Sequence, residues 1–188
     1  MMKAVNLGFL NYNGSQLHHA LAYERANELG ETICYFRGGV SVKEHLVDLE
    51  DSLANDFIES EEMWNFIIEI PEATITETVV WQRLFISMCI EDLKNSCKDL
   101  TITRNGDDIM VNDSKLSVSI ATLSQFSGLI HVGINIEVGS ACPVKAVGLF
   151  DIFKDREPYC STFGYRMAST FEREYNDIKK ATFKVIGV

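Results

Sequence analysis

The stretch from Arg104 to Asn135 restricts the fold more than any other part of the chain. Leu116, Val118 and Ile120 alternate with Ser117, Ser119 and Ala121, and a period of two marks a half-buried strand. Ile109-Met110-Val111 runs ahead of it, and between the two stand Asn112-Asp113-Ser114, residues that accept tight-turn geometry. The pattern predicts a β-hairpin with Lys115 just past its turn. A third run, Ile130, Val132, Ile134 and Ile136, alternates with His131, Gly133 and Asn135. Together the runs predict an antiparallel meander whose polar face carries Lys115, Ser117, Ser119, His131 and Asn135.

The remaining segments are arranged around it. Lys3 to Leu10 reads as a strand, and a helix is expected from an N-cap at Ser15 to a stop at Leu29-Gly30. Thr32 to Phe36 is a β-branched and aromatic strand that leads into Arg37-Gly38-Gly39. A cation followed by two glycines lets backbone N–H groups approach an anion, although an ordinary strand-end turn would look the same. Asp48, Glu50 and Asp51 offer carboxylates for Mg²⁺ or simply form a solvated edge. Phe66 to Ile70 is a short strand closed by Pro71. A long helix then starts at Thr74 or Thr76, with Val79, Val80, Leu84, Phe85, Met88, Cys89 and Leu93 at three- and four-residue spacing. Leu100 to Thr103 is a strand, Gly139 to Pro143 a loop, and Ser161 to Lys180 an amphipathic helix with Phe163, Met167, Phe171, Tyr175 and Ile178 on one side. Phe183 to Ile186 is expected as a last edge strand. Few helices and meander-connected strands imply an α+β fold, a mainly antiparallel sheet backed by helices.

Composition narrows the function classes. The 188 residues contain no evident linker, so residues 1–188 are expected to form one domain. Lys plus Arg is 17 against 27 for Asp plus Glu, a net charge of −10, which argues against nucleic acid or an anionic membrane as a partner. No run of apolar residues is long enough to span a bilayer, and no basic segment followed by an apolar one opens the chain, so a cytoplasmic location is expected. The five cysteines are odd in number, widely spaced and lack a Cys-x-x-Cys pair, which disfavours disulfides and a structural zinc site.

The common phosphate-loop, dinucleotide, nucleophile-elbow and zincin motifs are absent. What remains is a constellation of Arg37, Gly38, Gly39, Arg104, Asp107, Asp108, Lys115 and Asn135. A lysine at the start of a strand can neutralise a carboxylate and a phosphate together, as acyl-adenylate formation requires; a solvated turn lysine is the plainer reading.

The segment Asp108-Ile109-Met110-Val111-Asn112-Asp113-Ser114-Lys115-Leu116 resembles the catalytic hairpin of biotin protein ligases. An Asn-Asp pair there precedes an apolar strand, a turn and Lys-[Leu/Ile]-small-Gly. The flanks agree: a long apolar helix (Glu77 to Cys97) and a short strand come before, and Gly133-Ile134-Asn135-Ile136 follows. Tyr23-Glu24 and Arg37-Gly38-Gly39 resemble elements of lipoate protein ligases. Over nearly the full length the chain resembles a family known only as domain of unknown function 366, through Lys115-Leu116-Ser117-Val118-Ser119-Ile120-Ala121-Thr122, Gln82-Arg83-Leu84 and Gly106-Asp107-Asp108. The resemblance implies a biotin/lipoate-ligase-like fold related to class II aminoacyl-tRNA synthetases, with Lys115 contacting an acyl carboxylate and an α-phosphate. Asp108 would match the family aspartate, and Arg37, Gly38 and Gly39 would cover the adenylate. It also implies ATP and Mg²⁺ as ligands and a small carboxylate or adenylate as partner, with a homodimer left open. Asp107 stands where the ligases carry asparagine, and Val118 where they carry glycine. Three roles follow: an adenylate-forming ligase or acyltransferase, an octanoyltransferase-like enzyme without ATP, and a non-catalytic binding module.

Overall fold

The computed structural model describes residues 1–43, 47, 57–140, 142, 144–153 and 157–186. Asp48, Glu50 and Asp51 lie outside the described residues. A five-stranded sheet is ordered β1 (Lys3–Phe9), β2 (Thr32–Val42), β3 (Ile58–Pro71), β8 (Ser127–Glu137) and β7 (Ser117–Leu123). β1 and β2 are parallel, and the other pairs are antiparallel. A smaller sheet joins β4 (Ile102–Asn105), β5 (Asp108–Val111) and β6 (Ser114–Lys115).

The alternation in the sequence produces two cores, one on each side of the large sheet. On one side Trp64, Phe66, Ile68, Ile130, Val132 and Ile134 pack against two long helices, α2 (Ile75–Ser96) and α4 (Glu157–Ala181). On the other, Cys34, Phe36, Met63 and Ile67 pack with Tyr12 and with Leu21 and Ala22 of the short helix α1 (Leu21–Ala26). A single turn, α3 (Leu149–Ile152), joins the first core. Helix α2 starts as expected at Thr74, whose hydroxyl accepts from the Glu77 N–H while the Glu77 carboxylate accepts from the Thr74 N–H, a capping box.

Several local expectations need correction. The helix predicted from Ser15 to Leu29 is confined to Leu21–Ala26, because Ala20 takes a φ of 65° and Asn27 a φ of 57° and both break the helical path. Arg37-Gly38-Gly39 is not a strand-end loop but lies within β2, at an irregularity in its pairing with β3. A Cβ on Gly38 would collide with the Leu10 carbonyl, so glycine here admits the chain's own segment 10–12, bonded through Leu10 N to Arg37 O and Tyr12 N to Gly39 O. Phe183 to Ile186 is not a strand; Phe183, Val185 and Ile186 are exposed past the end of α4.

Candidate functional site

The predicted hairpin is present. Met110 faces Lys115 and Val111 faces Ser114, and the two turn residues Asn112 and Asp113 have φ of 45° and 64°. Two successive positive φ values match the twist of the flanking strands, and Asn and Asp tolerate them. The Asn112 side chain accepts from the Thr101 N–H and ties the turn to the segment before β4. Ile109 and Val111 are buried in the core; Asp108, Met110 and Lys115 share the opposite, partly exposed face.

On that face Lys115 Nζ lies 3.0 Å from Asp108 Oδ1, with the lysine side chain 33% exposed. Burial pushes the Asp108 carboxyl above its usual range, and its bond with Lys115 pulls the other way. The backbone of Lys115 is held on its outer side: its N–H donates to Lys145 O and its carbonyl accepts from Val147 N. Asn135 braces the same junction, donating from its side chain to Val147 O at 3.3 Å and from its backbone N–H to Leu116 O. The Lys115 backbone is thus clamped, and its ammonium is paired with Asp108.

The neighbouring aspartate has a different task. Asp107 Oδ2 accepts from Gln82 Nε2 at 3.0 Å and from Ser119 Oγ at 2.8 Å, and Arg83 stands 3.5 Å from Oδ1. This cluster fastens the β4–β5 turn to α2. Ser117 is fully buried, and its hydroxyl accepts from the Ile109 N–H. Arg104 is exposed and donates to Gly106 O. Arg37 makes a two-pronged pair with Glu62 at 2.6 and 2.8 Å, which raises its pKa further, and its guanidinium lies over the Phe150 ring.

The single polar face expected to carry Lys115, Ser117, Ser119, His131 and Asn135 is divided. β7 pairs with β8 so that Ser117 faces Ile134, Ser119 faces Val132 and Val118 faces Gly133. The two serines therefore turn toward α2, while His131 and Asn135 lie on the other side with Val118. His131 is buried, stacked on Tyr12 at 3.9 Å, with Nε2 2.9 Å from Asn65 Oδ1. Burial depresses its pKa to about 3, so it is neutral. At Gly133 an added Cβ would meet Met63 Sδ at 2.7 Å and Val118 Cγ2 at 3.0 Å. Among the described residues no group of three metal-ligating side chains comes together.

The sequence reading missed Gln82, Asn65, Tyr12 and Met63 as parts of this arrangement. Gln82 carried a signal, since a polar residue within an apolar helix needs a buried partner. The others are brought in only by sheet register.

A sequence model of the family described as "Domain of unknown function (DUF366)" matches residues 1–186. An uncharacterised protein of Methanocaldococcus jannaschii is 30% identical over 178 residues, 91% of this chain and 80% of that one. A solved protein of unknown function from Pyrococcus horikoshii superposes with a TM-score of 0.89 at 33% identity, covering 100% of both chains. The biotin acetyl coenzyme A carboxylase synthetase of Helicobacter pylori, solved with biotinylated ATP, gives a TM-score of 0.55 at 9% identity over 92% of this chain and 75% of that one. At that identity the likeness is one of fold: mixed α and β, with sheets backed by helices in the arrangement of biotin and lipoate ligase catalytic domains.

Proposed function

The chain belongs to the DUF366 family, and we propose that it is an acyl-adenylate-forming ligase or acyltransferase for a small carboxylic acid, with Lys115 contacting the carboxylate and the α-phosphate. The observation that carries this reading is the Lys115–Asp108 pair, a cation fixed on a two-residue hairpin and still one-third exposed. Two anions must meet in the reaction, and their repulsion opposes it. An ammonium between them offsets that repulsion without having to reorient. A carboxylate oxygen attacks the α-phosphorus of ATP, the bond to the β-phosphate oxygen breaks, and pyrophosphate leaves. An acceptor nucleophile then attacks the acyl carbon and AMP departs. Mg²⁺ would arrive with the phosphates, as it commonly does where the protein offers few ligands of its own. Asp108 and Asn135 complete the proposed site around Lys115. Arg37, Gly38, Gly39 and Arg104 are proposed to face the nucleotide, and Asp107, Ser117 and His131, which are paired or buried elsewhere, support it from outside. On the geometry above, Asp108 and Asn135 position Lys115, and Asp107 and Ser117 hold the hairpin.

The second reading is a non-catalytic binding module on the same fold. It is favoured by the packing of Val118 and Met63 over Gly133, which fills space a bulky acyl group would need.

Thermal shift of wild type and Lys115→Ala with Mg²⁺-ATP and non-hydrolysable acyl-adenylate analogues tests both, together with pyrophosphate release from Mg²⁺-ATP in the presence of a panel of small carboxylic acids. A ligand bound only by the native state raises apparent stability by mass action. Stabilisation that is lost in the variant, with turnover, is the outcome expected of a ligase. Stabilisation without pyrophosphate release would give the binding module, and no shift with any analogue would remove the adenylate reading.

A further inference from the structure

We propose that Val118 and Met63 set the substrate class of the Lys115 site, restricting it to short carboxylic acids and refusing long or bulky acyl chains. This rests on the reading of Lys115 as the carboxylate contact.

The body of such an acid would have to lie against one side of the large sheet. On the helix side Ile130, Val132 and Ile134 are completely buried under α2 and α4. The other side begins at Lys115 itself, because Asn135, which lies on it, reaches the Lys115 carbonyl at 3.5 Å. Going inward from Asn135 along β8, the next residue on this side is Gly133, and its partner across the ladder is Val118. Val118 is three residues past Lys115, across the break at Leu116 where the chain passes from the small sheet to the large one.

A glycine at that point leaves a dent in the sheet surface, and here the dent is filled. The position a Cβ would occupy is 2.7 Å from Met63 Sδ, 3.0 Å from Val118 Cγ2 and 3.5 Å from His131 Cε1. Met63 is 2% exposed, and beyond it the stacked Tyr12 and His131 rings continue the packing. A chain laid inward from Lys115 therefore meets two apolar side chains closing over a glycine. Removing either side chain would open apolar space over Gly133, next to Asn135, which touches the Lys115 carbonyl.

The test is calorimetric binding of non-hydrolysable acyl-adenylate analogues with acetyl, butyryl, hexanoyl and octanoyl chains, and of AMP, to wild type, Val118→Ala and Met63→Ala. In wild type the acetyl and butyryl analogues are expected to bind and the octanoyl analogue to bind at least about tenfold more weakly. Each variant should gain at least about tenfold for the octanoyl analogue relative to the acetyl analogue. Loss of packing alone would lower melting temperature without this reversal of chain-length preference. If one variant fails to fold, the other decides. A wild type that binds octanoyl as tightly as acetyl, or a folded variant that still rejects octanoyl, overturns the proposal. AMP binding that depends on Lys115 together with a flat chain-length profile overturns it while leaving the Lys115 site standing. No binding of AMP or any analogue to any of the three proteins overturns both.

Discussion

His131 sits in a nearly dry environment between the Tyr12 ring and the Asn65 side chain, and it is held neutral with a pKa of about 3. In the unfolded chain a histidine takes up its proton near pH 6.5. The folded value is depressed, so the stability difference is fully present above about pH 6.5 and is lost as pH falls toward the folded value, at ~1.4 kcal/mol per pH unit. Urea denaturation between pH 7 and pH 4 should show this slope. His131→Phe should be less stable at pH 7, because Asn65 loses its partner, and should show a flatter profile. An equal slope in the variant would assign the acid sensitivity to other groups. Lys115→Ala should behave differently, changing stability by no more than ~1 kcal/mol, since a partly exposed ion pair contributes little. A larger loss in the same titration would make Lys115 structural.

The hairpin that carries Lys115 was legible because everything that makes it is local. Alternation sets the strands, and Asn112-Asp113 take the positive φ values that a two-residue turn needs. Asp113→Gly should therefore be neutral or stabilising by about 0.5 kcal/mol, whereas Asp113→Val should cost ~1–2 kcal/mol because a branched residue resists φ near 64°. Melting curves of the two variants check the pair, and equal stability would mean that the turn is not strained. Arg37-Gly38-Gly39 was read as a loop because its glycines serve a tertiary contact, the approach of segment 10–12, which leaves no trace in local pattern. The register of β7 against β8 was likewise hidden. Alternation holds along β8 and from Ser117 onward, but Leu116, grouped with Val118 and Ile120 on one face, packs in the helix-side core instead, and matching apolar to apolar puts the serines beside His131. The sheet has a core on both sides, so the apolar set of β7 lies on the opposite side from the isoleucines of β8. Gln82 is where this register meets the helix layer, because one amide holds both Asp107 and Ser119. Gln82→Met would remove one donor from Asp107, which keeps Ser119 and Arg83, at the cost of ~1 kcal/mol, and it should loosen amide-exchange protection in Asp108–Val111 before the rest of the sheet.

Taken as one body, the chain carries a net charge of −10, and a nucleotide triphosphate approaching it is repelled unless local cations prevail. Three cations in or around the proposed site are already matched: Lys115 faces Asp108, Arg83 faces Asp107 and Arg37 faces Glu62. These short-range pairs are weakly screened by salt, while repulsion from the rest of the surface falls off beyond a screening length of about 10 Å at 0.1 M ionic strength. The long-range term should therefore decide the salt response. Affinity for Mg²⁺-ATP is expected to rise, by about twofold, between low salt and 0.15 M, the reverse of what a basic nucleotide pocket would give. Isothermal titration at the two ionic strengths measures it. A fall in affinity would mean that uncompensated positive charge faces the phosphates, and Arg104, exposed and bonded only to the neutral Gly106 carbonyl among the contacts described for it, would then be the first residue to replace.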